Sequence, residues 1–175
     1  MTQDWNTPLD LPSDLVAALS EGIMQIHGLI VSDPDSMALR VQDSPEAQGA
    51  VESAVSAALC SHFGAFPCET RVGQIVKLTI LIAKDHCFSD GNKRTATITL
   101  AVLLKFFVDE TARIDCSQEL MADIIQQVAS CKADMMGPYE VALTKFVEDC
   151  LRIREGIDMP RGGAYSRTPW AEGDK

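Results

Sequence analysis

RVGQIVKLTILIAK, residues 71–84, is apolar on nearly every side once it is wound as a helix. Its β-branched residues also suit a strand, but 14 residues is long for one. A helix with apolar residues all around is buried on most sides, so this one belongs at the centre of the fold. The composition agrees. Hydrophobic residues make up 46% of the 175-residue chain and aromatics only 6%, so the apolar mass is aliphatic and suits helices packed on helices. The reading is an all-α bundle built around 71–84.

The flanks fit such a bundle. Ser13 or Asp14 is placed to cap a first helix running to about Gly28, with Leu15, Val16, Leu19, Ile23 and Ile26 at helical spacing. Asp33-Pro34 and Ser44-Pro45 are turn signals. A second helix spans 46–60, opened by Pro45. Gly64 and Pro67 break it, and SHFGAFPCET, 61–70, gathers His62, Phe63 and Phe66 in an unusually aromatic connector. After 71–84 comes a loop, then a helix from about Gly91 to Val108. ARIDC, 112–116, reads as a short extended stretch. Helices follow at about 117–131 and 138–154, the second with Val141, Leu143, Phe146, Val147 and Leu151 as its apolar set. Residues 1–12 read as a loose arm, 13–155 as the domain, and the glycine-rich 156–175 as a flexible tail.

Charge narrows the partners. The net charge is −10 and no basic run exists, so nucleic acid is not the expected partner. No apolar run approaches the roughly 18 residues that would span a membrane. The start, MTQDWNTPLD, lacks a basic region and an apolar core, so no secretory signal is expected. Six cysteines, none in a C-x-x-C pair, read as buried reduced thiols of a cytoplasmic protein.

The chemistry concentrates in HCFSDGNKR, residues 86–94. The loop leads into a helix beginning near Gly91. A helix N-terminus offers unpaired N–H groups and the positive end of a dipole. A glycine there lets a phosphate approach the backbone. Asn92, Lys93 and Arg94 add donors and two positive charges. Two cations in a first turn oppose the dipole, a cost that a bound anion offsets. His86 is a natural general base for a hydroxyl, and Asp90 supplies a hard oxygen for Mg²⁺ bridging phosphates. Phe88 faces the core and fixes the loop. Each has a plainer role: Asp-Gly-Asn is a common turn, Asp90 a helix cap, Lys93-Arg94 a solvated face.

These residues resemble a known family. H-x-F-x-[D/E]-G-N-G-R is the signature of Fic domains, and H-x-F-x-D-A-N-K-R-T-A that of death-on-curing (Doc) toxins. The chain reads His86-Cys87-Phe88-Ser89-Asp90-Gly91-Asn92-Lys93-Arg94-Thr95-Ala96, with nearly every fixed position present. The order of helices over roughly 13–153 is similar to Doc. The resemblance implies an all-α Fic/Doc bundle with the motif loop between two central helices. It implies His86 as general base, Asp90 on Mg²⁺, and Gly91, Asn92, Lys93 and Arg94 around the phosphates of ATP. Lys84 takes the place of a Doc arginine and implies a further nucleotide contact.

Subtype turns on few positions. Fic AMP-transferases carry a second glycine where Lys93 stands and an arginine where Thr97 stands, and these seat the α- and β-phosphates. Doc proteins have the lysine and lack that arginine. The resemblance then implies a reversed nucleotide and a kinase that phosphorylates a Ser or Thr hydroxyl, with elongation factor Tu the expected target. Gly91 departs from the Doc alanine and keeps AMP transfer open. A catalytically silent binding module is the third reading. A target-docking flap falls near 61–70, or else that segment packs on the core. A Fic inhibitory helix is approximated only by Ala17–Gly22, with alanine in place of the hydroxyl residue. A Doc-like toxin of the bacterial cytoplasm would be held by a Phd-like antitoxin whose C-terminal segment folds into a groove.

Overall fold

The computed structural model describes residues 6–33 and 45–153. The turn signals at Pro34 and Ser44 and the expected tail at 156–175 lie outside them. Six α-helices run in order: α1 Ser13–Ser32, α2 Pro45–Leu59, α3 Arg71–Lys84, α4 Asn92–Phe107, α5 Gln118–Ser130 and α6 Met136–Cys150. A 3₁₀ turn, Ala133–Met135, leads into α6. The all-α reading holds, with one small addition. β1, Arg113–Ile114, pairs antiparallel with β2, Leu151–Arg152.

α3 is the axis, as its sequence requires. Val72 to Val76, Leu78, Thr79, Ile80, Ile82 and Ala83 are all buried, and α2, α4, α5 and α6 pack around it. The Thr70 side chain accepts the Gly73 N–H at 3.0 Å, a cap that fixes where the helix starts. Lys77 pairs with Glu140 of α6 at 3.5 Å, and the Cys68 thiol donates to the same carboxylate. Burial, then the Glu140 charge, pushes that thiol up to about 12, so it stays a neutral donor.

Several expectations need correction. α1 is capped by Pro12 rather than by Ser13 or Asp14, and it continues to Ser32. Its buried residues are Ser20, Ile23, His27 and Ile30, while Leu15 is exposed. α1 is apolar nearly all round, so spacing alone could not select its core face. With Leu29 to Val31 added, it is long and apolar enough to cross a membrane, with a mean hydropathy of 1.5, contrary to the sequence expectation. In the fold, it packs on α2 and α4. α6 stops at Cys150 rather than 154, because Leu151 and Arg152 form β2. Val141 is exposed. Only Cys87 and Cys150 are fully buried among the six cysteines, all of which are free thiols.

The arm is fastened rather than loose over residues 7–11. Gln74, buried on α3, accepts the Leu9 N–H and donates to the Leu9 carbonyl at 2.9 Å. Leu11 N–H donates to the Leu59 carbonyl at 3.2 Å. Asp10 accepts from both the backbone and the hydroxyl of Ser61, and those bonds hold its carboxyl below the usual range. Gln74→Leu keeps the volume but strips both partners from Leu9. We expect it to cost about 1–3 kcal/mol, read as a lower urea midpoint with unchanged slope.

Candidate functional site

The site is built where α3 ends. Asp85 closes the helix, its N–H donating to the Leu81 carbonyl at 2.9 Å. The next residue, His86, takes the left-handed conformation with φ 51°. That position after a helix usually holds glycine, so a histidine here is a strained choice. His86 is exposed, and the two residues after it, Cys87 and Phe88, turn into the core. Burial, then the Asp85 charge, pushes the Cys87 thiol up, toward its neutral form.

Phe88 anchors the loop, as expected. Its backbone N–H donates to Asn92 Oδ1 at 2.9 Å, and its carbonyl accepts from Asn92 Nδ2 at 2.7 Å. Asn92 thus braces the loop with its side chain, and its backbone N–H sits in the first turn of α4, where N–H groups have no partner within the helix. The Asn92 side chain orders the loop. Gly91 is the N-cap of α4, with φ 77°, and donates its N–H to Asp90 Oδ1 at 2.6 Å.

Lys93 and Arg94 are exposed in that first turn. They open into a groove of about 750 Å³ between α4, β1 and α5. Thr97, Ala101, Ile114, Met121 and Ile125 continue its walls. Arg113 of β1 also lines it, a cation that sequence reading did not single out. The size suits a nucleotide, and the apolar walls carry cations along their length, Lys93 and Arg94 at the start of α4, Lys105 near its end and Arg113 on β1. His86, Asp90 and Lys84 do not line it. Lys84 instead donates from Nζ to the carbonyl of Cys131, the residue that ends α5. Lys84 thereby ties the ends of two helices together.

Among the described residues no cluster of three His, Cys, Asp or Glu side chains forms a metal cage. Asp90 is a single half-buried carboxylate. That suits Mg²⁺, which takes one or two protein oxygens and completes its shell with phosphates and water.

The segment 61–70 is a tight two-residue turn. His62 and Ala65 exchange backbone bonds at 2.8 and 3.0 Å across Phe63 and Gly64, whose φ values are 53° and 80°. Two positive φ angles in succession are the pattern of a hairpin turn. Phe63 is fully exposed at its tip and Phe66 half-exposed. A core-packed loop is therefore not what this sequence forms.

His27 of α1, unassigned by sequence reading, stands against the loop. It is buried, and its ring stacks on Phe88 with centroids 3.8 Å apart and planes 8° apart. It shares the buried face of α1 with Ile23 and Ile30, a face that spacing alone could not select.

The central helix of this helical domain runs through a strained histidine into a glycine-capped, doubly cationic helix start. The Fic/DOC family model matches residues 17–104, half of the chain, and the chain belongs to the Fic/DOC family. The match spans α1 to α4 and thus the whole motif; α5 and α6 lie beyond it. No curated protein and no solved structure matches the chain. The family makes this a Fic-type protein-modifying domain, of the class that moves a nucleotide-derived group onto proteins.

Proposed function

We propose that the chain is a Doc-like protein kinase, a toxin of the bacterial cytoplasm that transfers the ATP γ-phosphate to a Ser or Thr hydroxyl, with elongation factor Tu as its target. The observation that carries this reading is Thr97. Where an AMP-transferase would present a second arginine, this chain has a hydroxyl turned back on its own helix, donating to the Lys93 carbonyl at 2.9 Å. The phosphate seat is then Lys93, Arg94 and the first-turn N–H groups of α4. His86 takes the proton from the target hydroxyl. That oxygen bonds to the γ-phosphorus while the bond to the β–γ bridging oxygen breaks, and ADP leaves. Asp90 would hold a Mg²⁺ ion, which would supply charge neutralisation for the phosphates.

The case for AMP transfer rested on Gly91, and the structure supplies a local reason for that glycine. At φ 77°, a Cβ would be strained, and it would meet the His27 ring at 3.2 Å. The exposed turn at Phe63 supports docking of a protein target. Ile98, Val102 and Phe106, exposed at four-residue spacing on α4 beside the groove, suit a Phd-like antitoxin segment.

The test uses purified protein, elongation factor Tu and ATP labelled at either end. We expect label on the target from γ-labelled ATP only. Transfer from the α-label would establish AMP transfer, and transfer from neither, with any bacterial lysate as acceptor, would leave a binding module.

A further inference from the structure

We infer that His27 is the positioning residue of the motif loop, an element outside the motif on which the placement of His86 depends. The ring touches three successive parts of the loop. Its face lies on Phe88, two residues after His86. Its edge fills the space beside Gly91, where Cε1 and Nδ1 would stand 3.2 and 3.4 Å from an added Cβ. Its Nδ1 shares a 3.1 Å hydrogen bond with Thr95 Oγ1, fully buried in the first turn of α4.

No other residue type serves all three contacts. A flat ring is needed for the stack at 3.8 Å. A ring nitrogen is needed for Thr95, since a buried hydroxyl left without a partner is costly. Phe88 is thereby held from two directions, by the His27 ring on its face and by Asn92 on its backbone. With Phe88 held at ring and backbone and α3 ending at Asp85, the two residues between them, His86 and Cys87, have little freedom, so the strained φ of His86 is set in part from outside the loop. α1 therefore contributes to the chemistry without carrying a reacting group.

The effect on turnover rests on the transferase reading, but the placement of His86 does not, and the two are separable. His27→Phe keeps the stack and deletes the Thr95 bond. Thr95→Val deletes the same bond from the other side. The chain has three histidines, so ring resonances of His86 and His62 are readily assigned, and His62 on the far connector serves as an internal control. We expect both variants to shift and broaden the His86 signal and leave His62 unchanged. We expect kcat for label transfer to fall about ten- to a hundred-fold with KM for ATP within about twofold, the signature of a misplaced base rather than a lost binding contact. The double variant should be no worse than His27→Phe alone, because that variant already lacks the Thr95 bond. Unmoved His86 resonances in both variants would overturn the proposal whatever the activity. So would wild-type kcat accompanied only by a lower melting temperature, which would make His27 an ordinary core residue. If the wild-type protein transfers no label at all, the function proposed above fails, and the resonance comparison still decides the role of His27.

Discussion

His86→Gly should give a protein that is more stable than the wild type and inactive. The two halves have separate causes. His86 follows the last turn of α3 with φ 51°, a left-handed conformation that costs an L-residue about 1–2 kcal/mol and glycine almost nothing. Glycine returns part of that through the greater entropy of its unfolded chain, about 0.5–1 kcal/mol. The net gain is up to about 1 kcal/mol, or about 2–4 °C in melting temperature for a chain of this size. The imidazole is exposed, so its removal leaves no cavity to offset the gain. Activity should fall by about 10²–10⁴, the usual contribution of a positioned general base. His86→Ala keeps the backbone cost and loses the base, so it should be equally inactive with little gain in stability. A destabilised glycine variant would remove the strain argument. A glycine variant that still transfers label at the wild-type rate would remove His86 from the chemistry.

This opposition of stability and activity shows what sequence alone could reach. The HCFSDGNKR loop was legible as a candidate site because charge, glycine and histidine types sit at fixed spacing, and the local chain decides their arrangement. The helical core was readable at α3, where every face is apolar and only a central place satisfies it. α1 was not readable in the same way. Its apolar residues surround the helix, so the face turned inward depends on what waits there, and what waits is the Phe88 ring for His27. The same holds for Lys84 and Gln74. Each has a partner distant in the chain, the Cys131 carbonyl and the Leu9 backbone, and no local pattern announces it. β2 was missed because two residues of strand leave no periodicity to detect. The strained φ of His86 was equally silent in the sequence, although it is what turns the residue outward from a buried helix.

The second large effect is a change in which phosphate is transferred. Thr97 lies three residues after Arg94 on α4, so both face the same side of the helix, and both line the groove. Arginine at 97 would place a second planar guanidinium beside the first, and a pair of such forks holds two adjacent phosphates in fixed orientation. Lys93 competes with that arrangement, since its ammonium claims phosphate charge at the start of the helix. Lys93→Gly with Thr97→Arg should therefore turn the nucleotide around. We expect γ-label transfer to fall at least about tenfold, a loss of about 1.4 kcal/mol of transition-state stabilisation, and α-label to appear on the target. Thr97→Arg alone should weaken γ-transfer without a clean switch, because Lys93 still holds its place. Lys93→Ala alone should lower γ-transfer and give no α-label, since only one guanidinium remains. Glycine in the first turn costs helix stability by up to about 1 kcal/mol, so the variants are to be compared well below their melting temperatures. If the double variant still labels its target only from the γ-phosphate, these two positions do not set the orientation of the nucleotide. The decision would then lie in the groove walls contributed by β1 and α5, the part of the site that the motif does not encode.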